Sequence, residues 1–162
     1  MRRLITSLCV FFLLAAGLQA QPNSANLKKS IAPFKIQLAN GKYTTSAALK
    51  KGIPVMIVYF DPDCDHCTAF ISDLLKQAGL FKQVQLVFIT YVPLQQVKTY
   101  FKSSGLDKYP QILVGTEGTD FIVRYYYNVI QFPYLALHDK AGKLISTFES
   151  EVPTPKELSV MF

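Results

Sequence analysis

Alternating apolar and polar positions predict a β-hairpin near the start of the folded region. Residues 34–38 alternate as a half-buried strand should. Asn40-Gly41 is a strong hairpin turn signal, and residues 42–44 can form the returning strand. Residues 46–51 are long enough for one or two helical turns. We therefore expect the fold to begin with a hairpin and a short helix.

Two continuous apolar runs predict buried central strands, at residues 55–60 and 84–92. Both are rich in β-branched and aromatic side chains, which is typical of strands covered on both faces in α/β sheets. Between them, apolar residues recur on one helical stripe, and Gly79 stands where the C-terminal cap of that helix belongs. The stripe consists of Cys67, Phe70, Ile71, Leu74, Leu75 and Ala78.

The segment after the second apolar run combines helical and irregular patterns. Pro93 suits the first turn of a helix that ends before Gly105. Residues 106–118 are less regular, and residues 119–127 indicate another short helix. Within that helix, Tyr125-Tyr126-Tyr127 is expected to line the core and its edge rather than to form a binding surface.

The last part of the chain predicts a second hairpin and a final short helix. Residues 132–137 and 144–148 have the pattern of strands, and residues 139–143 form the connection between them. His138, beside that turn, is predicted to be a surface residue. Residues 154–157 have the capping-box pattern with proline at the first helical position. Alternating units followed by an antiparallel hairpin predict an α/β fold with a mixed central sheet and helices on both faces.

The first twenty residues have the features of an export signal. Arg2 and Arg3 precede an apolar run, and Ala20 stands before a polar stretch, which fits cleavage after Ala20. We therefore predict a signal peptide at residues 1–20, a flexible leader at 21–31, a domain at 32–162, and a periplasmic or otherwise exported location. The alternative is an uncleaved anchor, which would give the protein its only membrane contact, although the run is shorter than the roughly 20 residues that span a bilayer.

Composition and charge narrow the class of protein. Apolar residues make up 50% of the 162 residues and charged residues 17%, which excludes a disordered tail or a fibrous repeat. The net charge is +6, but the basic residues are scattered and form no run longer than a pair such as Lys50-Lys51. We therefore predict no nucleic-acid partner.

Cleavage of the signal would leave two of the three cysteines, Cys64 and Cys67, in a Cys-x-x-Cys motif. A bridge across two residues closes almost no chain, so its entropic stabilisation of the fold is small. This favours redox chemistry over a structural role. The start of a helix directs unpaired N–H groups at Cys64, which predicts that Cys64 is the attacking thiol and Cys67 the buried resolving thiol.

The segment from Tyr59 to Cys67, Tyr-Phe-Asp-Pro-Asp-Cys-Asp-His-Cys, resembles the active-site segment of the thioredoxin superfamily. The turns at Asn40-Gly41 and at residues 139–143 resemble the exported TlpA/ResA-like branch, and Phe132-Pro133 matches the place of the cis-proline loop. The similarity covers residues 32–157.

This resemblance implies a thioredoxin-like fold with an added N-terminal β-hairpin and a redox-active Cys64–Cys67 disulfide. It also implies that Phe132 and Pro133 bind substrate. The implied partners are protein thiols or disulfides and a second redox protein that donates or accepts electrons. No cofactor and no metal are expected.

The chain departs from the superfamily around the thiols. Val58 stands where thioredoxins keep a buried acid, so Asp61 or solvent would have to accept a proton in its place. His66 matches the histidine of the strongly oxidising DsbA-type motif, whereas Asp63 and Asp65 oppose a thiolate. We expect these four polar residues to modulate the pair, with the direction of electron flow left open.

Two other interpretations of the cysteine pair remain. It could be an inert local disulfide, or part of a zinc or copper site, because aspartates and His66 surround the thiols. The alternative function is therefore a thioredoxin-like binding or metal-handling protein without redox turnover. Against a structural zinc site, one Cys pair supplies half of the usual ligands.

Overall fold

The computed structural model describes residues 30–162. The predicted signal peptide, and the predicted leader up to residue 29, lie outside the described residues. Ser30 forms an isolated antiparallel bridge with Lys143. No helix of the described part is both long and apolar enough to cross a membrane.

Within residues 30–162, seven strands form one mixed sheet in the order β2-β1-β5-β4-β3-β6-β7. The central strands β3, β4 and β5 are parallel, and β6 runs antiparallel to β3. The N-terminal hairpin extends the sheet because β1 pairs antiparallel with β5. The strands are β1 (Lys35–Leu38), β2 (Tyr43–Thr45), β3 (Val55–Tyr59), β4 (Gln85–Thr90), β5 (Leu113–Thr116), β6 (Tyr134–His138) and β7 (Leu144–Glu149).

In the described part of the chain, four α-helices cover the two faces of this sheet. They are α1 (Asp65–Lys76), α2 (Leu94–Ser103), α3 (Ile122–Tyr127) and α4 (Pro155–Ser159). Apolar residues of α1, α2 and α4 share one buried cluster, while α3 packs with the N-terminal segment in the other. The predicted mixed sheet with helices on both faces and an added hairpin is confirmed.

Strong local signals in the sequence correspond to observed features. The Thr154 side chain accepts the Glu157 amide, and the Glu157 side chain accepts the Thr154 amide, so the predicted capping box begins α4. Pro155 occupies the first turn of that helix. Pro93, in contrast, is the N-cap of α2 rather than its first helical residue.

The structure corrects the prediction for residues 106–118. This segment contains strand β5, which lies between β1 and β4 in the middle of the sheet. At Gly115 an added Cβ would lie 2.7 Å from the carbonyl oxygen of Gln37, so only glycine allows β1 to approach this closely. Because glycine is depleted in strands, the residue that permits this pairing also weakened the strand signal.

Two single-residue predictions are wrong. Gly79 does not cap α1, because the helix ends at Lys76 and the Gln77 carbonyl accepts the Leu80 amide, which begins a tighter 3₁₀ turn at Ala78–Phe81. His138 is fully buried rather than on the surface. The reason is that β6 lies between β3 and β7, and His138 pairs with Val55 inside the sheet.

Candidate functional site

The two cysteines lie where the central strand β3 passes into helix α1. Cys64 is the N-cap of α1, and its sulfur accepts the backbone N–H of Cys67 at 3.3 Å. The turn before it is closed by Asp61, whose carbonyl accepts the Cys64 amide at 3.1 Å. The Asp61 carboxylate also accepts the Asp63 amide at 3.0 Å. These bonds hold the Cys64 sulfur against the unpaired N–H groups at the helix start.

The two thiols have different environments although they stand three residues apart. Cys64 is half-buried, whereas Cys67 is fully buried on the apolar side of α1. Burial, followed by the contact with the Cys64 sulfur, raises the pKa of the Cys67 thiol. Both cysteines are free thiols in this structure, so the Cys64–Cys67 disulfide stays a prediction.

The loop before β6 lies against the exposed thiol. The Phe132–Pro133 peptide bond is cis, the isomer that the sequence analysis expects. The Phe132 carbonyl oxygen lies 4.0 Å from the Cys64 sulfur and accepts its S–H. The Glu149 carboxylate accepts the Ile130 and Gln131 amides, and the Ser150 amide donates to the Pro133 carbonyl at 3.0 Å. The loop is therefore held from β7, independently of the cysteines.

Aromatic rings fix the Phe132 side chain. Its ring stacks on Tyr59, at a centroid distance of 5.9 Å, and on Tyr91, at 6.0 Å. The Tyr59 hydroxyl donates to buried Glu117 at 2.7 Å, and Glu117 also accepts the Val123 amide at the start of α3. Two other rings therefore hold the Phe132 side chain in place, and its backbone carbonyl faces the Cys64 sulfur.

Asp61, the predicted stand-in for the missing acid, is held by a tyrosine. The Tyr91 hydroxyl donates to the Asp61 carboxylate. This hydrogen bond, followed by burial, raises the pKa of Tyr91 to about 12. At the position where thioredoxins keep a buried acid, this chain has the fully buried side chain of Val58, which cannot accept a proton.

The other predicted modulating residues are on the surface. Asp63, Asp65 and His66 are all exposed around the start of α1. Asp63 also borders a small groove between the cysteine loop and α2. Within residues 30–162, no group of three or more His, Cys, Asp or Glu side chains is arranged to hold a metal ion.

The sequence analysis missed Tyr91, Glu117 and Arg124. Tyr91 had a usable signal, because it follows β4 and the carboxyl ends of the parallel strands β3 and β4 lie side by side. The Arg124 guanidinium lies 5.7–5.8 Å from the ring centroids of Tyr91, Phe121 and Phe132. No local sequence pattern predicts that contact, because the three rings come from three separate segments of the chain.

Solved structures show the same fold. A secreted disulfide oxidoreductase of Mycobacterium tuberculosis, homologous to DsbE of E. coli, is 19% identical, with a TM-score of 0.66 over 80% of this chain and 93% of that chain. A thioredoxin-family thiol:disulfide interchange protein from Chlorobium tepidum is 18% identical, with a TM-score of 0.66 over 82% and 92%. ScoI from Arabidopsis thaliana with copper bound is 18% identical, with a TM-score of 0.62 over 79% and 92%.

Comparison with protein-family models gives a match over most of the chain. No curated protein shows a significant match. The thioredoxin-like domain matches residues 42–161, which include β3, the cysteine pair, the cis-proline loop and the C-terminal helix. This range is most of the chain and nearly all of the described sheet. The chain therefore belongs to the thioredoxin-like domain family.

Proposed function

We propose that this protein is an exported thiol–disulfide oxidoreductase that exchanges disulfides through Cys64 and Cys67. The observation that carries the proposal is the asymmetry of the pair. One sulfur is accessible at a helix start, beside the Phe132 carbonyl, and the other is buried directly behind it. An inert local disulfide would need neither the accessible sulfur nor the adjacent backbone acceptor.

The exchange follows from this arrangement. The Cys64 thiolate attacks one sulfur of a partner disulfide, the partner's S–S bond breaks, and the released partner sulfur takes up a proton. The Cys67 thiol then loses its proton and attacks Cys64 in the mixed disulfide. That step releases the second partner thiol and leaves the Cys64–Cys67 disulfide. The protein is oxidised by two electrons and the partner is reduced, and the reverse sequence oxidises a partner dithiol.

The second attack requires a proton acceptor, because burial raises the pKa of the Cys67 thiol. We assign this role to Asp61, whose carboxylate acts electrostatically on Cys67 and is oriented by the Tyr91 hydroxyl. Exposed Asp63, Asp65 and His66 modulate the stability of the Cys64 thiolate from the surface.

Partner chains are expected to bind at the cis-proline loop. The Phe132 carbonyl faces the Cys64 sulfur, and an extended peptide could pair with this backbone as a short added strand. Pro133 is buried beneath that position and lacks an N–H, so the loop recognises the partner through the preceding residue. The expected substrates are protein thiols or disulfides.

Export is part of the proposal. It is supported by the charged start, the apolar run and the small residue at Ala20, which together fit a cleaved signal at residues 1–20. The structural relative from Mycobacterium tuberculosis is described as secreted. Mass determination of the protein recovered from outside the cytoplasm would show a chain that begins at Gln21, whereas a chain retaining residue 1 would contradict cleavage.

The reduction potential tests the redox function. Equilibration with glutathione buffers, followed by alkylation and mass spectrometry, would give the ratio of dithiol to disulfide at each poise. We expect a potential in the range of exchange proteins, about −120 to −270 mV. A potential below about −300 mV, typical of structural bridges, would contradict the exchange role.

A further inference from the structure

A cation without a carboxylate partner among residues 30–162 packs against the loop that contacts the half-buried Cys64 thiol. Arg124 belongs to α3, and its guanidinium is packed against Tyr91, Phe121 and Phe132. Phe132 is also the residue whose carbonyl oxygen lies 4.0 Å from the Cys64 sulfur. One side chain therefore separates the guanidinium from the backbone position that contacts the reacting sulfur.

The guanidinium is held in place, but its hydrogen-bonding capacity is unused within residues 30–162. The one ion pair of this part of the chain joins Lys76 to Asp73, and no described hydrogen bond has the Arg124 side chain as donor. The nearby carboxylates accept from groups other than the guanidinium: Glu117 accepts from the Tyr59 hydroxyl and from the backbone amides of Val123 and Arg124, and Asp61 accepts from Tyr91. Stacking on rings orients a guanidinium while leaving the five N–H groups at its edge available.

The charges on the two sides of Cys64 are opposite. Arg124 lies on the face of the sheet covered by α3. Asp63 lies on the other side, at the groove beside α2. A partner chain that crosses Cys64 along the Phe132 backbone would therefore meet the Arg124 cation on one flank and the Asp63 carboxylate on the other. The planar guanidinium fork matches a carboxylate in geometry and charge.

We propose that Arg124 is a specificity-determining residue that binds a carboxylate on one flank of the partner's reacting cysteine. The occupant is an aspartate or glutamate side chain of an extended peptide. This inference rests on the proposed exchange function and adds the substrate class that the site selects. The chemical step is unchanged: the Cys64 thiolate attacks the partner disulfide, and Arg124 positions the peptide for that attack.

Matched peptides measure this selectivity. Each peptide is otherwise neutral, and its single cysteine is disulfide-bonded to 2-mercaptoethanol. A glutamate stands one or two residues before or after the cysteine, and each peptide has a glutamine counterpart. The second-order rate constant for exchange with the reduced, intact protein is followed by chromatography. On one flank, the glutamate peptide should react about tenfold faster than its glutamine counterpart, as a charge-assisted hydrogen bond provides.

The variants identify the group responsible. Arg124→Gln should bring the glutamate-to-glutamine rate ratio to about one, and Arg124→Lys should keep an intermediate ratio because it retains the charge but not the fork. Lys102→Gln is the matched control: it removes one exposed positive charge from α2 and should leave the ratio unchanged. High salt should reduce the ratio for the unaltered protein.

Three outcomes would overturn the inference. A ratio near one on both flanks in the unaltered protein would show that no carboxylate is recognised. An equal loss in Arg124→Gln and Lys102→Gln would assign the effect to overall charge. If reduced protein exchanged with none of the peptides, glutamine counterparts included, the proposed function itself would fail, which is distinct from exchange without selectivity.

Discussion

Each end of the sheet carries polar side chains among apolar ones, but at one end these side chains are enclosed and at the other they are partly accessible. At one end, His138 and Tyr127 are enclosed: the Tyr127 hydroxyl contacts His138 Nε2 at 3.0 Å and accepts the Ala32 amide at 2.9 Å. At the other end, Cys64 is half-buried, and the guanidinium beside it has no carboxylate partner among residues 30–162.

The difference separates an enclosed polar cluster from an accessible one. Ala32 and His138 are fully buried, and the Tyr127 hydroxyl forms a hydrogen bond with each, so these two contacts strengthen the fold. Among residues 30–162, His138 Nδ1 is buried without a hydrogen-bond partner. At the other end, the Cys64 thiol is partly accessible and Cys67 is buried behind it; the proposed exchange function uses the first as the nucleophile. Substitutions at the cysteine end should therefore change disulfide exchange, and substitutions at the His138 end should change the free energy of unfolding.

The largest effect is expected from the cysteines. Cys67→Ala should trap mixed disulfides with partner proteins, because no internal thiol can resolve them, whereas Cys64→Ala should form none. Non-reducing electrophoresis after exposure to a protein disulfide measures the trapped species. Trapping by Cys64→Ala instead would reverse the assigned roles.

At the enclosed end, removal of one hydroxyl should be costly. Tyr127→Phe leaves the buried Ala32 amide and His138 Nε2 without this partner, which should lower the free energy of unfolding by about 2 kcal/mol. Tyr125→Phe removes the same atom from a side chain that is 75% exposed, and should change stability by less than about 0.5 kcal/mol. Urea denaturation measures both, and equal effects would contradict the enclosed cluster.

Acid should weaken the enclosed end through His138. Burial lowers the pKa of His138 below its ordinary value of 6.5, so the folded state favours the neutral ring. The resulting stability is present in full above the unfolded-state pKa and is lost as pH falls below it toward the folded pKa. The slope of this loss approaches about 1.4 kcal/mol per pH unit.

Urea denaturation across this pH range would isolate the contribution of His138. His138→Gln should remove this acid-dependent loss relative to the unaltered protein. His66→Gln, which changes an exposed histidine, should retain it. The same acid dependence in all three proteins would assign the effect to carboxylates elsewhere.

The smallest effect is expected at the exposed end, from Tyr91→Phe. Loss of the hydroxyl frees the Asp61 carboxylate, which should slow the release of partner thiol from the mixed disulfide a few-fold, as expected for one modest hydrogen bond. The hydrogen bond to Asp61, followed by burial, raises the pKa of Tyr91 to about 12, so the hydroxyl of the unaltered protein keeps its proton and stays a donor to Asp61 near neutral pH. Tyr109→Phe, whose hydroxyl contacts the Leu75 carbonyl away from the cysteines, is the control.

Predictions succeeded where neighbouring residues carry the information. The alternation and turn of the first hairpin, the capping box at Thr154 and the Cys-x-x-Cys at a helix start are all local patterns, and all three are present in the structure. Strand β5 was not predicted, because its position in the sheet depends on the close approach of Gly115 to Gln37 rather than on its own hydrophobic pattern.

The site divides in the same way. The chain itself determined where the two thiols stand, because the spacing of Cys64 and Cys67 places one thiol at the helix start and the other on its apolar stripe. Only the tertiary structure decided what surrounds them. Parallel pairing of β3 and β4 brings Tyr91 to Asp61, and the packing of α3 brings Arg124 over Phe132. His138 is buried for the same reason: strand pairing, and not its neighbours along the chain, sets its exposure.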